Sequence, residues 1–256
     1  MNILVFAIIL LILVILVILL FKNQTNFGNV MKLNDKICIV TIENRKEEYI
    51  TLHNKSFSEY SDKHGYEYTF IDNYKPEINV YWRKIFIVLE LLKTDKWGYV
   101  MWVDSDTILK YPNKKLEDYF KKYSSDIIIG VDCWKNCNDL YLLNAGVFVI
   151  KNSKIGIQLL EECVNKYENQ KKECLDSKNN ITGSWAGQCY EQGILNKLIM
   201  TTDKYINSTY IDYSQDFVFH KDYKGGNDYN KNESALIVHL SDSDNSVRKE
   251  YFKNFI

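Results

Sequence analysis

From Ile3 to Phe21 every residue is apolar, in an unbroken run rich in Ile, Leu and Val. No other stretch constrains the organisation of the chain as strongly. At about 1.5 Å of rise per residue, a helix of roughly this length nearly crosses the hydrocarbon core of a bilayer. A cleavable leader has a shorter apolar core, about 7–15 residues, followed by a small-x-small site. Lys22-Asn23-Gln24-Thr25 offers no such site. A buried globular helix rarely lacks every polar residue, so the run predicts a transmembrane signal anchor. Residues 1–2 are then a short tail, 3–21 the anchor and 22–35 a polar stem. Residues 36–256 form one domain, within the size a single core can fill.

Lys22, Lys32 and Lys36 follow the span. A positive-inside bias would leave the domain in the cytosol, although whole domains translocate largely regardless of charge. Asn-x-Ser/Thr sequons begin at Asn23, Asn54, Asn180, Asn207 and Asn232, which suits a glycoprotein with its domain in the lumen. The expectation is a single-pass, type II protein of the endoplasmic reticulum or Golgi. Cys133 and Cys137 are spaced to pair across a turn, and Cys163, Cys174 and Cys189 offer a second bridge. Cys38 lies in an apolar strand pattern and reads as a buried thiol. The net charge is −1 with no block of like charge, so the basic stripe of a nucleic-acid binder is missing.

Beyond the stem, apolar runs of strand length occur at 36–42, 66–71, 99–103, 126–131, 145–150 and 235–240. Helical periodicity marks 45–64, 81–92, 155–167 and 191–199, with Gly65 as a stop, and a short helix is expected through Arg248 and Phe252. Alternating strands and helices predict an α/β sheet with parallel elements.

The chemistry concentrates at the end of the 99–103 strand, in Asp104-Ser105-Asp106. Ligands bind beyond the carboxyl ends of strands in open α/β sheets. Strand alternation would point Asp104 and Asp106 the same way. Two convergent carboxylates suit Mg²⁺ or Mn²⁺ carrying phosphate oxygens, although Asp and Ser also build ordinary turns. A second Asp-Ser-Asp, at 242–244, reads as the cap of the last helix. His239, near the end of the preceding strand, is a candidate third metal ligand.

Several further segments fall into an ordered set. Asn54-Lys55 is followed by Tyr60 and His64-Gly65-Tyr66-Glu67, then by Trp82-Arg83-Lys84 and the aromatic strand into Asp104-Ser105-Asp106. Leu143 to Ile150 reads Leu-Asn-Ala-Gly-Val-Phe-Val-Ile, Glu191-Gln192 heads a helix with Leu195 three on, and His239 lies near the C-terminus. In this order the chain resembles glycosyltransferase family 34, which holds fungal α-galactosyl and α-1,6-mannosyltransferases and plant xyloglucan α-xylosyltransferases. The resemblance implies a type II membrane protein whose GT-A domain is a Rossmann-like mixed sheet flanked by helices.

It further implies transfer of a hexose or pentose from a UDP- or GDP-sugar to a glycan acceptor, with retention of the α-linkage. In that reading Asp104, Asp106 and His239 hold Mn²⁺ or Mg²⁺. Thr41, Trp82, Lys84, Ser105, Asn144, Ala145 and Gly146 serve the nucleotide and donor, and Glu191 and Gln192 stand beside the reacting carbon. The family often follows its late His with Gly-Cys, where this chain has Leu240-Ser241-Asp242; Arg248 or Lys249 would have to meet the diphosphate instead. Two other readings compete. Asp104-Ser105-Asp106-Thr107 fits the start of a haloacid-dehalogenase-like phosphatase, with Asp104 as nucleophile and Asp106 as acid. An inactive, membrane-tethered sugar-binding relative would keep the pocket without turnover.

Overall fold

The computed structural model describes residues 36–132, 142–220 and 234–256. The anchor run, the stem, the Cys133–Cys137 pair and the sequons at Asn23 and Asn232 lie outside them. Among the described residues no helix is long and apolar enough to cross a membrane.

The elements in chain order are β1 (Ile37–Ile42), α1 (Glu48–His64), β2 (Glu67–Ile71), α2 (Arg83–Lys93), β3 (Tyr99–Val103), β4 (Thr107–Leu109), α3 (Leu116–Tyr123) and β5 (Ile127–Asp132). They continue with β6 (Leu142–Lys151), α4 (Lys154–Cys174), α5 (Glu191–Thr201), α6 (Asp203–Ile206), β7 (Thr209–Asp212), β8 (Val218–His220), β9 (Ile237–His239) and α7 (Asn245–Phe252). The main sheet runs β2-β1-β3-β6-β5-β7, and a smaller one runs β4-β9-β8. β1 is parallel to β2 and β3, whereas β6 is antiparallel to β3 and β5. The architecture is thus a mixed α/β sheet flanked by helices.

Strand alternation builds two cores. Cys38, Val40, Val100 and Trp102 point to one face, where Ile85, Val88 and Leu92 of α2 cover them. Ile37, Ile39, Met101 and Val103 point to the other, against Phe57 and Tyr60 of α1. Both faces are covered, which is why these strands read as continuous apolar runs.

Boundaries shift for local reasons. Helix α1 starts at Glu48, because the Glu43 carboxylate accepts the backbone N–H groups of Asn44 and Arg45 at 2.9 Å each and holds a loop there. Gly65 ends it in the left-handed region, at φ 73°. Helix α4 runs past the expected end at Tyr167 to Cys174, which bonds Cys189. Of the three candidate cysteines, Cys163 is left as a buried thiol, as is Cys38. Short β4, α3, β7 and β8 were not apparent as periodic runs.

Candidate active site

Between β3 in the large sheet and β4 in the small one, the chain turns through Asp104-Ser105-Asp106. The Thr107 hydroxyl donates to the Asp104 carbonyl at 2.7 Å and tightens this turn. Leu240 N–H donates to the Asp106 carbonyl at 2.9 Å, which brings the end of β9, and His239 with it, to the same place. Asp104, Asp106 and His239 each offer a ligand atom, and these atoms lie within 4.8 Å of one another. They line a cavity of about 590 Å³ beyond the ends of β1 and β3. A second depression of about 620 Å³ shares Glu43 and Arg45 with it and is otherwise built from the rest of the loop after β1, the start of α1 and the end of β2. Slightly larger, it contains none of that carboxylate–imidazole group.

Each carboxylate is held by cations. Arg248 Nη2 donates to Asp106 Oδ2 at 2.9 Å, and His239 Nε2 lies 3.0 Å from Oδ1. Burial alone would raise the Asp106 pKa, but His239 and Arg248 overcome it and hold the carboxyl below its ordinary range. Lys84 Nζ donates to Asp104 Oδ1 at 2.9 Å and to the Ala145 carbonyl at 3.2 Å, and it pairs with Glu191 Oε1 at 3.3 Å. Burial opposes its charge, yet Asp104 and Glu191 outweigh burial and raise its pKa. Trp102 Nε1 donates to Asp104 Oδ1 at 2.6 Å. Two carboxylates and an imidazole at this spacing fit a divalent ion, and the hard oxygen ligands suit Mn²⁺ or Mg²⁺.

Gly146 makes this packing feasible. A Cβ there would stand 2.1 Å from His239 Cε1 and 2.9 Å from Asn144 Oδ1. Gly146 N–H donates to Asn144 Oδ1 at 2.7 Å. Gln192 Oε1 accepts from the Ala145 N–H at 2.9 Å. Glu191 and Gln192 line the cavity, and their buried Oε2 and Nε2 atoms make no hydrogen bond to the described residues. Leaving such groups unmet costs about 1–3 kcal/mol each, so each has a hydrogen bond to offer a bound molecule or a water. Burial raises the Glu191 pKa against the pull of Lys84.

Lys84, Ser105, Asn144, Gly146, Glu191 and Gln192 all line the cavity together with the carboxylate–imidazole group. Thr41, Trp82 and Ala145, also expected beside the donor, are not among the residues that line this cavity. Thr41 is fully buried, its hydroxyl 2.9 Å from the Val103 carbonyl and 3.0 Å from His53 Nε2. Trp82 is buried against Tyr167 and donates to the Cys189 carbonyl at 3.0 Å. Ala145 is buried and contributes through its backbone. The cap expected of the second Asp-Ser-Asp is corrected. Asp244 occupies the position before α7 but makes no side-chain capping bond, and Asp242 turns toward the cavity with φ 54°.

Sequence reasoning missed Glu43 and Arg45. The Glu43 carboxylate binds the Arg45 guanidinium, with Nε at 2.9 Å, and accepts from Ser105 Oγ at 2.7 Å. Burial works against its charge, but Arg45 and Ser105 hold its pKa below the ordinary value. An acid and a base two apart just after a buried strand were the available signal.

A family model described as nucleotide-diphospho-sugar transferase matches residues 35–251. No curated protein matches the chain. Among solved structures, a glycosyltransferase involved in glycosylation of the major capsid of PBCV-1 superposes with TM-score 0.62 at 16% identity, covering 86% of this chain and 99% of that one. The apo form of the glycosyltransferase GlyE of Streptococcus pneumoniae TIGR4 gives TM-score 0.50 at 17% identity, over 85% of this chain and 60% of that one. At such identities the likeness is one of fold. The phosphatase reading of Asp104 and Asp106 is not favoured, because the transferase family model matches residues 35–251, nearly all of the described domain. By the extent of that match, the chain belongs to the nucleotide-diphospho-sugar transferase family.

Proposed function

We propose that this protein transfers a hexose or pentose from a UDP- or GDP-sugar to a glycan acceptor, with Mn²⁺ or Mg²⁺ and with retention of the α-linkage. The observation that carries the reading is the convergence of Asp104, Asp106 and His239 on one cavity wall, with Glu191 and Gln192 lining the same cavity. A divalent ion held there would neutralise the diphosphate leaving group, Lewis-acid help worth several kcal/mol.

The side chains of the chain itself supply the rest. Arg45 and Arg248, both lining the cavity, place positive charge where a diphosphate needs it. Arg248 thereby fills the role left open by the sequence after His239. Lys84 fixes Asp104 and Glu191 in one geometry, and Ala145 fixes the Gln192 amide so that its Nε2 can donate to a sugar hydroxyl. Glu191, pinned by Lys84, fits an orienting role rather than a nucleophilic one. Retention itself rests on the family 34 resemblance.

We also propose a type II membrane anchor and a lumenal domain. The apolar run at 3–21, the Cys174–Cys189 disulfide and the exposed sequon asparagines Asn180 and Asn207 support it. Asn54 supports it less, since Ser56 of its sequon is buried within α1.

The test is release of nucleoside diphosphate from a panel of UDP- and GDP-sugars, with Mn²⁺ or chelator, by full-length protein and by Asp106→Ala. Metal-dependent release lost in the variant supports the reading and names the donor. Cleavage of a generic phosphate ester without any donor turnover would overturn it.

A further inference from the structure

At the mouth of the cavity three aromatic rings meet edge to face. Tyr81 and Trp185 have centroids 5.6 Å apart, Tyr81 and Tyr190 5.3 Å, and Trp185 and Tyr190 4.9 Å, with interplanar angles of 75°, 64° and 61°. Each such contact uses the edge of one ring and the face of the other, yet most of Trp185 stays uncovered. Trp185 is 60% exposed, Tyr81 38% and neighbouring Val80 61%, and all three line the cavity that holds Glu191 and Gln192.

An exposed tryptophan on a slack loop would mean little, but this loop is built. It leaves α4 and returns to α5 under the Cys174–Cys189 disulfide. Asn79 Nδ2 donates to the Asn179 carbonyl at 2.7 Å, Gln170 Nε2 to the Gln188 carbonyl at 2.6 Å, and Trp82 Nε1 to the Cys189 carbonyl. At its tip Gly187 N–H donates to the Ser184 carbonyl at 3.0 Å, and Ala186 sits in the left-handed region at φ 54°. The loop then lies directly on α5: a Cβ at Gly193 would stand 2.1 Å from the Gly187 carbonyl and 2.4 Å from that of Ala186. The chain therefore fixes a large apolar face in water at the entrance to a polar cavity. A fixed aromatic with only two side-chain torsions loses little entropy when a ligand lands on it.

We infer that Trp185, braced by Tyr81 and Tyr190, is the platform on which a pyranose ring of the glycan acceptor stacks. A pyranose presents a face of C–H bonds to the electron-rich face of an indole and keeps its hydroxyls at the rim. The hydroxyl to be glycosylated then points past the platform toward Glu191 and Gln192. This inference rests on the proposed transferase reading, and Trp185 acts in it as a specificity-determining contact.

The test titrates full-length protein with methyl α- and β-glycosides of glucose, galactose, mannose and xylose, with and without UDP and Mn²⁺. Tryptophan fluorescence reads sugar binding, and calorimetry reads UDP separately. At least one glycoside should give a saturable change in the wild type. Trp185→Ala should raise its half-saturating concentration by about tenfold or more, the scale of one lost aromatic contact, and Trp185→Phe should recover part of it. In transfer assays the same variant should raise KM for the glycoside while changing KM for the donor far less. Because Trp185 is exposed, the variants are expected to fold, which circular dichroism checks. A wild type with no saturable response to any glycoside, or a Trp185→Ala protein that responds like the wild type, overturns the platform. Failure to bind UDP or GDP with Mn²⁺ is a different result and counts against the transferase reading.

Discussion

Replacing Gly146 by Ala tests whether the candidate metal group is held by packing. The added methyl would sit 2.1 Å from His239 Cε1 and 2.6 Å from Nδ1. Unstrained carbon–carbon contact needs about 3.5–4.0 Å, so the ring must retreat by more than about 1 Å. His239 is 3% exposed and lies between buried Val238 and Leu240, so it has little room to move. Its 3.0 Å approach to Asp106 Oδ1 would open beyond hydrogen-bond range. Gly146 is not in the left-handed region, so the backbone accepts alanine and the effect is steric.

Overpacking of this kind costs about 1–3 kcal/mol, and disturbing the groups that hold a metal costs about 10–100-fold in affinity. We therefore expect Gly146→Ala to melt earlier and to need about 10–100-fold more Mn²⁺ for half-maximal release of nucleoside diphosphate. Adding His239→Ala removes the severe clash and leaves only the milder 2.9 Å approach to Asn144 Oδ1. In that background Gly146→Ala should cost little stability while the metal requirement stays high, a non-additivity expected of residues in contact. A Gly146→Ala protein with wild-type melting and wild-type metal dependence would refute the reasoning.

Lys84→Met should leave buried Glu191 and half-buried Asp104 without their shared cation, costing about 3–5 kcal/mol in chemical denaturation and abolishing turnover; full stability in the variant would mean that the two acids do not depend on Lys84. His53 gives a pH dependence, since burial lowers its pKa from 6.5 to about 4 against the pull of its Thr107 hydrogen bond. The unfolded chain binds this proton first, so the stability it contributes is complete above about pH 6.5 and is lost as pH falls toward 4, on the order of 3 kcal/mol in all. Denaturant titrations across that window should show a steeper slope in the wild type than in His53→Gln, and equal slopes would overturn the assignment.

The tautomer of that histidine follows from its neighbours. Nδ1 lies 2.8 Å from the Thr107 carbonyl, which can only accept, so Nδ1 carries the proton and Nε2 accepts. The Thr41 hydroxyl must then share its single proton between His53 and the Val103 carbonyl. Thr41 thus spends its hydrogen bonding on joining β1, β3, α1 and the start of β4, a structural use of a residue that its place at a strand end suggested for ligand binding.

What the sequence made legible was whatever a single strand or helix carries by itself. The buried strand into Asp104-Ser105-Asp106, the helix from Glu191 and the stop at Gly65 are local patterns, and each stands within a residue or two of its reading. In the second sheet β9 lies within the apolar run at 235–240, but β4 and β8 escaped because three residues, as in β4, are too few to show a period. Contacts such as Arg248 with Asp106, 142 residues apart, need the closed fold before they exist.

The expected site residues that do not line the cavity are a different matter, because periodicity alone separates them from their neighbours. Successive residues of a strand face opposite ways, so in β6 Asn144 and Gly146 reach the cavity and Ala145 between them enters the core. In β1, Thr41 shares the face of Ile37 and Ile39 that packs on α1, whereas Ile42 lines the cavity. At the start of α2, residues two apart lie about 200° apart around the axis, so Lys84 can reach Asp104 only if Trp82 points elsewhere. A motif shared along a family marks a neighbourhood in sequence, and the backbone period then divides it into residues that can touch substrate and residues that hold those in place. Applied to Trp82-Arg83-Lys84 and to Asn144-Ala145-Gly146, that rule selects Lys84, Asn144 and Gly146, the members of each motif that the structure sets in the cavity wall.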